Sequence, residues 1–104
     1  SRRRRPLPPA RPRRKASQKA KPPTYRVLLH NDAVNKREYV VKVLLRVVEG
    51  FTVEDALAVM SEAHLTGLAL VTQEAQDVAE RYCESMRASG LVATVEPAGP
   101  GGAT

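Results

Sequence analysis

The sequence predicts one small α/β domain with the element order β-α-α-β-α-β, three helices packed on a three-stranded sheet. Two patterns carry this. Apolar residues alternate between short runs of strand formers and longer stripes at helical spacing. Glycines punctuate the stripes, at Gly50, Gly67 and Gly90, where a left-handed residue ends a helix without a side-chain clash. Length sets the scale: 104 residues allow one domain with a modest core.

Each element has its own signature. Residues 25–30, YRVLLH, have strand composition. Residues 37–49, REYVVKVLLRVVE, place Val40, Val43, Leu44, Val47 and Val48 on one helical stripe. Val41 and Leu45 widen it, so burial on more than one side is expected, with Gly50 as the stop. Residues 51–67 open the second helix with Thr52 as a natural N-cap. Glu54 and Asp55 suit its positive end, and Phe51 is placed to staple back onto Ala56 or Leu57. Val53, Ala56, Leu57, Met60 and Ala63 or His64 form the expected stripe, ended by Gly67. Residues 68–72, LALVT, read as a short apolar strand. Residues 73–90 read as the third helix, with Ala75, Val78, Ala79, Tyr82, Cys83 and Met86 inward and Gly90 as cap. Residues 91–97, LVATVEP, read as a last strand stopped by Pro97.

The formal charge of +6 is unevenly spread. Residues 1–23 carry ten Lys or Arg, no acid and six of the eight prolines. Residues 24–104 carry seven basic and eleven acidic side chains, a net of −4. The first segment has too little apolar surface to offset its ordering entropy, so a disordered basic tail is expected over 1–23, a folded domain over 24–98 and a second tail over 99–104. An Arg-rich, acid-free start also resembles part of an organelle transit peptide. Its charge permits nucleic-acid or membrane attraction, although no aromatic side chain interleaves the arginines. A single cysteine excludes an internal disulfide. No apolar run approaches the ~18 residues of a membrane span, and no apolar stretch follows the basic start as in a secretory signal.

Three residues are candidates for chemistry. Asn31 and Asp32 end the first strand, where the pair forms a turn or a polar claw for a cation. His64 lies in the last turn of the second helix. It faces the helix dipole, or else borders a small pocket with Met60 and Ala63, which share its face. Cys83 sits on an apolar stripe and reads as core. His30 and His64 lack partners at metal-ligand spacing, and no Gly-rich phosphate loop is present. A His64–Asp32 couple could orient a proton transfer, but no nucleophile accompanies it. Neither an enzyme, a cofactor nor a metal is expected.

At three places the residues resemble a known family. YRVLLHNDAVNKREYVVKVLLRVV, then A..VM.EAH..G.A, then GL.ATVEPA resemble the ClpS family, adaptors of the Clp protease that recognise N-degrons. The HND..NKREYVV block is most similar to the chloroplast branch. The resemblance covers roughly residues 24–98. It implies a three-stranded antiparallel sheet with three helices packed on it. It places capture of a substrate's free α-amine on Asn31, Asp32 and His64. It places the hydrophobic pocket for the first side chain on Val40, Met60, Ala63 and Leu91, with Asn35 and Arg37 at the rim.

The implied partners are substrate proteins with a free N-terminal aromatic or Leu residue, and the N-terminal domain of a Clp AAA+ unfoldase of the ClpC or ClpA type. The implied protein is a monomer that uses neither nucleic acid nor membrane. Its expected location is the chloroplast stroma, with a bacterial cytoplasm as the alternative. The tail would be the segment that the unfoldase pulls. Many bacterial members have methionine where Arg37 stands and a β-branched residue where Ala63 stands. The missing branch enlarges the pocket floor, while the long stem of Arg37 covers or narrows the mouth. Bulky aromatic first residues are therefore expected to be favoured. A second acid often follows Asn-Asp in bacterial members; with Ala33 here, Asp32 is the local carboxylate. The competing expectation, from charge alone, is a nucleic-acid- or ribosome-associated domain with a basic tail.

Overall fold

A computed structural model describes residues 23–99. The two expected tails therefore lie outside the described residues, apart from Pro23 and Gly99. Three strands, β1 (Thr24–His30), β2 (Leu68–Ala75) and β3 (Ala93–Pro97), form one sheet in the order β2-β1-β3 with both pairings antiparallel. The helices are α1 (Arg37–Val47), α2 (Val53–Thr66) and α3 (Gln76–Ala88). The order is thus β-α-α-β-α-β. Helices α2 and α3 lie against the sheet and α1 packs across both.

Alternation along β1 decides which face is covered. Val27 and Leu29 are buried under the helices, while Arg26, Leu28 and His30 point the other way. The core continues through Val43 and Leu44 of α1, Ala56 of α2, and Ala79 and Met86 of α3. Cys83 is core too. Burial pushes its thiol up, and the nearby Arg87 offsets this only in part, so it stays protonated.

Strand β2 differs from expectation in two ways. It is eight residues long and absorbs residues 73–75, which the composition assigns to the third helix. Pairing with Thr24, Tyr25 and Arg26 of β1 overrides their helical preference. A bulge opposite Val27 and Leu28 leaves Val71 unpaired and shifts the phase of the strand. Before it, Ala69 and Val71 face inward while Leu68 and Leu70 stay exposed. The all-apolar run thus has one wet face.

Helix boundaries follow the caps. Thr52 caps α2 in a capping box: its hydroxyl accepts from the Asp55 N–H at 3.0 Å, and the Asp55 carboxylate accepts from the Thr52 N–H at 3.1 Å. The buried stripe of α2 is Ala56, Val59 and Ala63, one position round from the expected one, and Val53 and Leu57 are exposed. The two alanines allow close approach on the inner face, which leaves Leu57 and Met60 bordering a groove with Val41. Helix α1 ends at an extended Val48, and Gly50 follows in the turn rather than at the cap. At the end of α3, Gly90 adopts φ 95° and a Schellman pair forms, Leu91 N–H to Met86 O at 3.0 Å and Gly90 N–H to Arg87 O at 2.9 Å.

Replacing Thr52 by Ala removes one half of the capping box. The expected cost is about 1 kcal/mol, read as a lower urea midpoint with an unchanged m-value.

Candidate functional site

The site forms where β1 ends beside the C-terminus of α2. Gly67, at φ 92°, closes α2 with its N–H on Ala63 O at 2.9 Å. Its own carbonyl accepts the Asn31 N–H at 3.1 Å, while the His30 N–H donates to Val92 O at 2.9 Å. A residue with a Cβ is strained at that φ. The glycine turn therefore ties the end of β1 to the last turn of α2, which carries His64.

Asp32 then folds the chain back on itself. Its Oδ1 accepts the Val34 N–H at 2.8 Å and the Asn35 N–H at 2.9 Å. Its Oδ2 accepts Asn35 Nδ2 at 2.6 Å. The same Asn35 Nδ2 donates to Gly90 O at 2.9 Å, so Asn35 bridges the carboxylate to the end of α3. From α1, Tyr39 Oη donates to Ser89 O at 2.6 Å and Arg46 Nη2 to Ser89 Oγ at 2.8 Å, holding that end in place. A carboxylate has about four acceptor directions. Three are used here, and Oδ2 keeps one.

The electrostatics agree with the geometry. Partial burial alone raises the Asp32 pKa, but the three hydrogen bonds from Asn35 and Val34 outweigh it and hold the carboxyl below the ordinary aspartate value. Asp32 is thus an anion across the physiological range. His64 Nε2 meets Arg37 Nη2 at 3.1 Å. A guanidinium can only donate. In this contact Nε2 is therefore the acceptor.

These groups surround one small cavity of about 20 Å³. Its apolar side is Leu29, Val40, Met60 and Ala63, and its polar side is Asn31, Asp32, Asn35, Arg37 and His64. The structure brings together eight of the nine residues expected at the site. The exception is Leu91, which is buried in the core at 4% exposure and does not line the cavity. The Schellman turn places its N–H on Met86, the contact partner that such turns favour. Leu29 and His30 also line the cavity. Leu29 was legible only as one residue of a strand. The bridging role of Asn35 had a signal in its spacing, three residues after Asp32 in a stretch rich in turn formers. Among the described residues, no three His, Cys, Asp or Glu cluster as metal ligands would.

The comparisons with known proteins fit this geometry. The family model for the ATP-dependent Clp protease adaptor protein ClpS matches residues 20–94. The chain belongs to the ClpS family. A chloroplastic ClpS relative, the adapter protein CLPS1 of Chlamydomonas reinhardtii, is 65% identical over 76% of this chain and 49% of its own length. Its counterpart in Arabidopsis thaliana is 54% identical over 82% of this chain and 53% of its own. The chain thus spans about half the length of these two curated relatives. A cyanobacterial ClpS, from Synechococcus sp. CC9902, is 49% identical over 72% of both chains. Both the chloroplast likeness and the bacterial alternative read from the sequence have relatives behind them. Among solved structures, Agrobacterium tumefaciens ClpS2 bound to L-phenylalaninamide superposes with a TM-score of 0.66 at 34% identity, covering 74% of this chain and 99% of that one.

Replacing Asn35 by Ala is expected to raise the Asp32 titration midpoint, followed by carboxyl NMR. Because Asp32 titrates lower when folded, its stabilising contribution is complete above the ordinary aspartate pKa. That contribution is lost as pH falls through the lowered folded-state value. In the Asn35 variant, this acid-sensitive share of stability should shrink.

Proposed function

We propose that this chain is an adaptor that captures proteins by a free N-terminal amine on a bulky apolar residue and passes them to a Clp unfoldase for degradation. One observation carries the reading: a single cavity has an apolar floor of Leu29, Val40 and Ala63 and, on its polar side, the Asp32 carboxylate and His64 Nε2. The related ClpS2 holds L-phenylalaninamide, which has the two parts such a cavity sorts for, a benzyl group and a free α-amine.

The recognition is two-ended. An ammonium offers three donors, and Asp32 supplies charge with its one remaining acceptor direction. His64 supplies a second acceptor, and Asn31 lines the same wall. Burial of an aromatic side chain contributes roughly 1.5–3 kcal/mol. Acetylation removes the ammonium charge and leaves a partly desolvated carboxylate facing an amide, at a cost on the order of 2–5 kcal/mol.

The finer assignments rest on the family. They are a ClpC- or ClpA-type receiving unfoldase, a monomeric adaptor and action in the chloroplast stroma. The likeness to chloroplastic relatives supports the last of these. The pulled tail and the alternative of nucleic-acid attraction both concern residues 1–23, which apart from Pro23 lie outside the described residues.

Peptides with a free N-terminal Phe should bind, and their N-acetylated forms should lose about 30-fold or more in affinity, a conservative share of that cost. Replacing Asp32 or His64 by Ala should abolish measurable binding in fluorescence anisotropy, with the circular dichroism spectrum unchanged. Equal affinity for free and acetylated peptides would defeat the reading.

A further inference from the structure

The contact between Arg37 and His64 falls on the atom that an incoming amine needs. Arg37 Nη2 donates to His64 Nε2 at 3.1 Å, and both side chains are exposed. Arg37 lines the main cavity and also the two shallower depressions beside it, one polar along Lys36 and Glu38 and one apolar along Val41 and Leu57. It is therefore the shared wall of all three. Behind it, the enclosed part of the main cavity has room for about one water molecule. An aromatic ring enters only if the mouth opens.

The position of Arg37 points to a role other than local stability. It is the first residue of α1, where the helix dipole disfavours a cation. Among the described residues it makes no ion pair, although Glu38 is its neighbour in sequence. Its polar contact is instead with an imidazole, across 27 positions of sequence. A residue that breaks a local rule without a local gain marks a functional constraint.

We propose that Arg37 is an internal stand-in for the substrate's ammonium: in the empty site its guanidinium occupies the His64 Nε2 acceptor and latches the mouth, and each substrate must displace it. The inference rests on the amine-binding reading above and adds its regulation. A cation already on the acceptor lowers the apparent affinity by the fraction of molecules in which the latch is closed. It also prevents weakly held chain ends from occupying Nε2, because a ligand gains only what it contributes beyond the guanidinium. The stem of Arg37 stays anchored at the start of α1, so release moves the guanidinium towards the polar depression by Glu38 and Lys36 rather than out of the site.

The test is Arg37→Met in the full chain, which keeps the stem and removes the donor. Binding of a peptide with free N-terminal Phe should become about two- to five-fold tighter, the range of an exposed charged contact. Faster association should account for the gain, and discrimination against the acetylated peptide should persist. In wild type, the His64 ring ¹⁵N spectrum should show an accepting Nε2 with the proton on Nδ1, and the Nε2 signal should move in the variant before any peptide is added. Unchanged or weaker binding by Arg37→Met, with acetylation still discriminated, would overturn the latch and leave amine recognition standing. Loss of discrimination in wild type as well would overturn both. An unperturbed Nε2 signal in the variant would also overturn the latch.

Discussion

The carboxylate of Asp32 is the constraint on which the site depends. Three N–H donors within three residues hold it, and one of them, Asn35 Nδ2, reaches on to the carbonyl of Gly90 at the end of α3. The same bonds keep it ionised against the effect of partial burial. A charge held this way does not reorganise when a cation arrives, so little of the binding energy is lost in ordering it. The turn that an Asn-Asp pair forms and the claw it offers are one structure, since the turn aims the one acceptor direction that remains.

Around this point, the rest of the fold serves as a frame. Gly67 ties β1 to the end of α2 and so sets His64 near Asp32. Alanine at position 63, 3% exposed, lets α2 approach closely and keeps that side of the cavity apolar. Met60 is only partly buried and unbranched, a side chain that adapts to what packs against it. The cavity is thus lined by groups from three elements and the turn between β1 and α1, none of which forms the site alone.

Much of this was legible in the sequence, because its local signals agree with the fold. Thr52 and Gly67 mark both ends of α2, and the stripe of Val40, Val43 and Leu44 marks α1. What was not legible came from tertiary contacts. Residues 73–75 are helix formers by composition but complete the ladder with β1. The face of α2 turns by one position because two alanines pack inward, and Leu57, large and apolar, is left at a groove. At the site, the residue types singled out Asn31, Asp32 and His64 but left a turn and a dipole-facing histidine open, and the family resemblance supplied the binding role. The Schellman turn that buries Leu91 joins residues by tertiary geometry, and the contact of Arg37 with His64 spans too much sequence for any periodicity to reveal.

The most direct test is a crystal structure of the chain with L-phenylalaninamide. The account predicts the α-amine within hydrogen-bonding distance of Asp32 Oδ2 and His64 Nε2, and the ring between Val40, Met60 and Ala63. An amine directed to solvent, or a ligand seated away from these residues, would contradict it.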